Sequence, residues 1–525
     1  MALSVPSPHV SPDALPESQP TIGLIGMGAM GRMYAHVLSA AGWKNIYVCD
    51  LPSKFDSLKL EYANTPGVVV VRDGHAVSRA SDFVVYSVEA ESIGAVVKEY
   101  GPSTKLNAVV AGQTSVKAPE QAAFDEHLPE DTSVVSCHSL HGPTVSPVGQ
   151  PLVLIKHRGP PEALTFVENI FRCFESRYVY LSYEDHDLVT ANTQAVTHAA
   201  FLSMGTAWYA SQSYPWEQGL YVGGLETVKV NLTLRIYSNQ WHVYAGLAIL
   251  NPSARVQIDQ FAKSATELFK LMLAGGNGRE EDRRAFQERV EWCRDVVFGD
   301  AVSTDSNHGS NPKRKKKRRP ILLSEDVLDK FSLGMPTCSP AATASIAPSA
   351  APPSFINPFQ PSQSITSDLY HPETDMDPLY RRMSSVAPTR YRPNSHLSLL
   401  AMVDSWAHLK INPYTHLSLA ATPLFRLFLG VAEHLFLSPS LLRASLNSAL
   451  YDTWHRADDL EFIIAARGWS QAVNFGSFEV YKRRFLQTRA FLESRFAEGV
   501  KVGSEMIKAV METEVQREKE EQNEE

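Results

Sequence analysis

The 525-residue sequence predicts an α/β fold: a Rossmann-type, doubly wound parallel sheet followed by an all-α domain. Three observations predict it. Short β-rich runs alternate with helical segments up to residue 182, a glycine block opens the first helix, and helical periodicity takes over after Glu184. The strand candidates, in order, are Thr21 to Ile25, Asn45 to Cys49, Val68 to Val71, Phe83 to Val88, Ala108 to Ala111, Val134 to His138, Leu152 to Lys156 and Tyr178 to Leu181. Tryptophans and tyrosines at helical spacing mark Leu188 to Trp208, Leu232 to Leu250 and Phe261 to Val297 as helices.

The division that follows is a disordered tail over 1–19, a dinucleotide-binding domain over 20–183 and a first helical part over 184–300. Residues 301–395, dominated by Ser, Pro, Ala and Thr, read as a mobile low-complexity insertion. Helical periodicity resumes over 396–497, and 498–525 reads as a terminal helix with an acidic tail.

The glycine block is Gly26-Met27-Gly28-Ala29-Met30-Gly31. The first glycine permits a tight turn, the second lets backbone approach a diphosphate, and the third lets helix pack on strand. The helix amino end then faces the negative charge. Asp50 closes the next strand about twenty residues on, where a ribose contact belongs. A nicotinamide or flavin nucleotide is therefore expected.

With 49 Lys and Arg against 57 Asp and Glu, the net charge of -8 gives no basic field for nucleic acid. The run Lys313 to Arg319 reads as a solvated charge run, or as a nuclear address. Five scattered cysteines, Cys49, Cys137, Cys173, Cys293 and Cys338, form no C-x-x-C pair, so no metal site is expected and a reducing compartment is implied. The start, Met1 to Pro20, lacks the features of a secretory signal. Leu424 to Leu437 is interrupted by Arg426, Glu433 and His434, too short and too charged to span a bilayer. A cytoplasmic or nuclear protein without membrane contact is expected.

Two blocks carry chemistry. Gly112-Gln113-Thr114-Ser115-Val116-Lys117 and His138-Ser139-Leu140-His141-Gly142-Pro143 each follow a strand, at the sheet edge where nucleotide and substrate meet. Adjacent residues on a strand face opposite ways, so Cys137 and His138 do not make a nucleophile and base. His138 reads as the acid/base group of an alcohol dehydrogenation, a neutral histidine near its ordinary pKa of about 6.5, and Ser115 can orient the hydroxyl.

These blocks, with Tyr86-Ser87-Val88-Glu89-Ala90 and Gln150-Pro151-Leu152-Val153, resemble prephenate dehydrogenase of tyrosine biosynthesis in its fungal-type form, over residues 20–300 and 395–497. The resemblance implies oxidative decarboxylation of prephenate to 4-hydroxyphenylpyruvate and a helical domain like the 6-phosphogluconate dehydrogenase C-terminal domain that makes a homodimer. It implies that His138 contacts the ring hydroxyl, supported by Ser115, and that Ser139, His141, His198 and Arg235 meet the substrate. The nucleotide falls to Gly26 through Gly31, Asp50, Ser87 and Val88. The cofactor implied is NADP, whereas Asp50, followed by no arginine, argues locally for NAD; Ser53 and Lys54 can hold a 2′-phosphate if Asp50 turns away. Two alternatives remain. One is another two-domain NAD(P)-dependent dehydrogenase, for arogenate or a hydroxyacid, the 6-phosphogluconate type placing a lysine at the reacting carbon. The other is a non-catalytic nucleotide-binding scaffold.

Overall fold

The computed structural model describes residues 5–143, 145–218, 223–302, 393–420 and 422–509, with Leu322, Leu323 and Leu328. All eight expected strands form, and they make one sheet in the order β3-β2-β1-β4-β5-β6-β7-β8. They are β1 Ile22–Ile25, β2 Ile46–Cys49, β3 Val68–Val70, β4 Phe83–Tyr86, β5 Val109–Gly112, β6 Ser133–Ser139, β7 Pro151–Arg158 and β8 Arg177–Tyr180. β1 lies between β2 and β4, so the strand order reverses there and opens a crevice at the carboxyl ends. Pairing is parallel throughout except between β6 and β7, which run antiparallel. Among the described residues of the connection from Leu140 to Gln150 no helix forms, and without a crossover helix β7 returns beside β6 in the opposite sense.

Helices cover both faces. Tyr34 of α1 (Ala29–Ala41) packs against Phe171 and Phe174 beneath one face, with Phe83, Phe166 and Cys137. Val77, Ile93, Val97 and Phe124 cover the other. The expected amino-terminal tail is not free: Val5 and Val10 pack on the sheet domain, and the Gln19 amide donates to the Pro12 and Ala14 carbonyls.

A helix, Tyr183–Thr190, leads out of the sheet domain, and a π-turn, Ala191–Ala195, joins it to a helix over Val196–Ala210. That last helix is buried on every side from Val196 to Trp208, as a helix at the centre of a bundle must be. Around it pack Gly224–Ser238, Trp241–Ile249, Pro252–Gly276, Leu397–Leu409 and Arg456–Phe475, closed by Trp406, Trp469, Tyr237 and Tyr481. The expected insertion is partly structural. Leu322, Leu323 and Leu328 are buried or nearly so in this core, and a side chain on Gly430 would collide with Leu323. Its remainder from 303 to 392, the basic run included, and residues 510–525 lie outside the described residues. Among the described residues no single helix is long and apolar enough to cross a membrane; Pro423–Leu437 and Pro439–Tyr451 pass only as a pair bent by 89°.

Candidate active site

The nucleotide cradle is built by the turn between β1 and α1. Gly26 has φ +101°, and a side chain there would strike the Ser87 carbonyl and Val88. A Cβ on Gly31 would lie 2.2 Å from the Gly26 oxygen, so helix and strand can approach only with glycine at both. Gly28 differs: its Cβ would meet nothing within 4 Å, and Gly28 and Ala29 are exposed while Met27 is fully buried. Gly28 caps α1 without a side-chain hydrogen bond, which leaves the amino-terminal N–H groups free for a diphosphate. Met30 packs inward beside Tyr34. Ser87 Oγ donates to the side-chain Oε1 of Gln113 at 2.8 Å, and the buried Gln113 Nε2 makes no hydrogen bond among the described residues. A glycine cradle, open space at Gly28 and an unpaired amide donor beyond it fit a nicotinamide dinucleotide.

At the ribose end the Asp50 carboxylate is turned back. It accepts from the Met27 N–H at 3.1 Å and the Leu51 N–H at 2.7 Å, and pairs with Lys54 Nζ at 3.2 Å. Arg32 of α1 binds the Met27 carbonyl and pairs with Glu61 at 2.8 Å. No arginine follows Asp50 in the sequence; Lys54 pairs with it, and the Arg32 guanidinium of α1 lies against the carbonyl of Met27, whose N–H binds the same carboxylate.

The second half of the crevice holds the histidines. On β6, Ser136 and His138 point to one face, Cys137 and Ser139 to the other. His138 Nδ1 lies 2.8 Å from His186 Nε2, and His186 Nδ1 lies 2.9 Å from Asp187 Oδ1. Burial, with His186, Lys117 and His141 alongside, pushes the His138 pKa well below its ordinary value, so the expectation of an unperturbed histidine is corrected. Cys137 is buried in the apolar layer, its thiol pushed up to about 12 mainly by burial, and is no nucleophile. The Ser139 hydroxyl, expected at the substrate, meets Tyr34 Oη at 2.8 Å on the opposite face from His138, by the alternation that separates Cys137 from His138.

Ser115 is partly exposed, and no hydrogen bond joins it to His138, whose Nδ1 partner is His186. His141 is half-buried against the Gly142 carbonyl, with its Nε2 unpaired. His198 is buried with an unpaired Nδ1, its ring edge-on to Tyr244 at 4.7 Å, and burial drives its pKa down to about 3. Arg235 donates to Ser504 at 3.0 Å and does not touch His138.

Beneath His138 lies an ion pair absent from the sequence reading. Lys117 Nζ is fully buried, 3.0 Å from Glu120, the Gly112 carbonyl and Ser136 Oγ, and 2.9 Å from the Cys137 carbonyl. Glu120 also accepts from Thr114 at 2.6 Å and from the Ser136 hydroxyl. This ammonium ties the ends of β5 and β6 together just where Ser115 and His138 leave the sheet. Its only sequence signal is a lysine closing the Gly112 block.

Two family models match: a 6-phosphogluconate dehydrogenase C-terminal domain over residues 195–346 and 376–512, and the NADP oxidoreductase, coenzyme F420-dependent, over residues 21–111. The chain is 43% identical over 94% of its length, and 97% of the relative's, to a probable prephenate dehydrogenase (NADP+) of Schizosaccharomyces pombe. It is 43% identical, over 96% of its length and 97% of the relative's, to the prephenate dehydrogenase (NADP+) of Saccharomyces cerevisiae. The chain belongs to the prephenate dehydrogenase family. A solved prephenate dehydrogenase of A. aeolicus, bound to hydroxyphenyl propionate and NAD+, is 19% identical with a TM-score of 0.41, covering 52% of this chain and 96% of that one. As in the fungal-type prephenate dehydrogenase resemblance, the two matched regions are a nucleotide-binding sheet domain and a helical domain.

Proposed function

We propose that this chain oxidatively decarboxylates prephenate to 4-hydroxyphenylpyruvate in tyrosine biosynthesis, with NADP as hydride acceptor and His138 as the base on the ring hydroxyl. NADP, when bound, takes hydride from C4 of the ring. The observation that carries the reading is the setting of His138 at the carboxyl end of β6: its Nδ1 is engaged by His186, and its Nε2 has no hydrogen-bond partner among the described residues. That nitrogen accepts the hydroxyl proton as the ring carbon becomes a carbonyl. Loss of carbon dioxide at C1 then returns the bond electrons to the ring, which becomes aromatic, and the proton goes back to the phenolic oxygen.

The unpaired polar atoms of Gln194, His198 and His141 supply neutral hydrogen-bonding groups for the substrate, and Arg235 supplies a guanidinium for a carboxylate once released from Ser504. Ser115 orients the hydroxyl. Lys54 and Arg32 favour the 2′-phosphate of NADP over the bare hydroxyl of NAD, since Asp50 is already engaged. A lysine at the reacting carbon is disfavoured, because Lys117 is buried and committed to Glu120.

We place the enzyme in the cytoplasm as a homodimer. The exposed Leu460, Ile464 and Phe475 lie within a narrow arc of one helix and suit contact with a second copy. The test is absorbance of reduced nicotinamide with purified protein, offering prephenate or arogenate, and NADP or NAD. Prephenate with NADP is expected to turn over fastest, and His138→Asn to abolish turnover while nucleotide still binds. Undiminished turnover in that variant would remove the assignment.

A further inference from the structure

His138 has two ring nitrogens, and only one of them can take a proton from substrate. Which one is free is decided by a chain of contacts that the family blocks do not include. Asp187 Oδ1 can only accept, so the His186 Nδ1 that lies 2.9 Å away carries the hydrogen. A neutral His186 then presents a lone pair at Nε2, and His138 Nδ1, 2.8 Å away, must be the donor. A neutral His138 with its hydrogen on Nδ1 is left with its lone pair on Nε2.

Both rings are held neutral. His186 is completely buried and His138 is 8% exposed, and burial is the largest influence lowering each pKa. The groups facing His138 are His186, Lys117 and His141; those facing His186 are Asp187, Lys117 and Glu120. Asp187 is fixed in turn. Its two oxygens accept the backbone N–H groups of Lys117 at 2.8 Å and Ala118 at 2.9 Å, at the amino end of the helix Ala118–His127, and its carbonyl accepts from Asn251 at 2.8 Å.

We propose that His186, held by Asp187, is a positioning residue of the reaction: it accepts the Nδ1 hydrogen of His138 and so directs the Nε2 lone pair at the substrate hydroxyl. This rests on His138 being the base. His186 stands on the helix Tyr183–Thr190 that enters the helical domain, whereas His138 stands on the sheet. The tautomer of the base is therefore set by docking of one domain on the other. When Nε2 takes the hydroxyl proton, the positive ring remains hydrogen-bonded through His186 to the Asp187 carboxylate, and no proton need leave the chain.

Three variants test it. His186→Leu removes the acceptor and should lower kcat by about 100-fold or more, as a mis-set tautomer does in other His-dependent sites. His186→Gln keeps an acceptor toward His138 and a donor toward Asp187, and should stay within about tenfold of the parent. In both, KM for prephenate and Kd for NADP should move by less than about threefold, which separates positioning from general damage. His138→Asn is measured beside them. A Leu variant with near-parental kcat, or a Gln variant as impaired as Leu while still binding NADP, overturns the role of His186. Turnover surviving in His138→Asn overturns the base assignment instead. If the Leu variant does not bind NADP, the Gln variant alone decides: a 100-fold loss overturns the proposal and near-parental kcat supports it.

Discussion

The Lys117 ammonium and the Glu120 carboxylate are both fully withdrawn from solvent and lie 3.0 Å apart under the catalytic end of the sheet. A side chain on Gly112 would sit 2.1 Å from Glu120 Oε2, so the glycine of that block exists to admit a carboxylate rather than to form a turn. Breaking one partner of a buried pair leaves an uncompensated charge. Lys117→Met is expected to cost about 3–5 kcal/mol, a fall in Tm of roughly 10 °C, with Lys117→Met/Glu120→Leu milder than the single change. Thermal unfolding of the two variants checks it; a double variant no more stable than the single one contradicts the account.

Gly28 and Gly31 separate binding from folding. A Cβ at 28 has no protein atom within 4 Å, so Gly28→Ala should leave Tm nearly unchanged while weakening NADP by about tenfold or more, because a methyl group there would keep a diphosphate off the backbone. Alanine at 31 would put its Cβ 2.2 Å from the Gly26 carbonyl oxygen and should prevent normal folding. Titration of NADP against each purified protein decides between them.

Lys54→Glu reverses the charge beside Asp50. It is expected to lower kcat/KM with NADP by about tenfold or more while changing kcat/KM with NAD by less than about threefold. Equal losses with both nucleotides would show that Lys54 acts on the fold and not on the 2′-phosphate.

Buried neutral histidines make stability depend on acid. His138 and His186 are lowered by burial first, and His198 reaches about 3 by burial alone. For each, the unfolded chain takes up a proton below its ordinary value of about 6.5 that the folded chain refuses. Stability is complete above that pH and falls as pH drops through it toward the lowered values, by up to about 1.4 kcal/mol per pH unit for each ring. Glu226, which burial by itself would raise, is brought down to about 2 by Lys229 and His396, and adds its loss only at still lower pH. Unfolding followed from pH 8 to pH 5 should show Tm falling below about pH 6.5 with uptake of more than one proton. A flat profile would contradict the neutral assignment of these rings.

The local part of this protein is legible in its sequence. Strand positions, the glycine cradle and the outward placement of His138 against Cys137 follow from period-two alternation, glycine chemistry and helical periodicity, which act over a few residues. The same alternation, applied one residue further, also turns Ser139 toward Tyr34. The return of Leu322 and Leu323 to the core was not legible, because Ser, Pro, Ala and Thr dominate the stretch around them and 301–395 read as a mobile insertion.

Contacts between residues far apart in the chain were settled only by folding. His138 and His186 are 48 positions apart, Lys117 and Cys137 are 20 apart, and Arg32 and Glu61 are 29 apart. No spacing rule encodes such pairs, because each depends on where two separately formed elements come to rest. The sequence determined that a nucleotide-binding sheet would present an imidazole at its carboxyl edge. Tertiary packing decided which nitrogen of that ring is engaged, what keeps it uncharged and what the Asp50 carboxylate binds, since those properties arise from burial and from neighbours supplied by other parts of the chain.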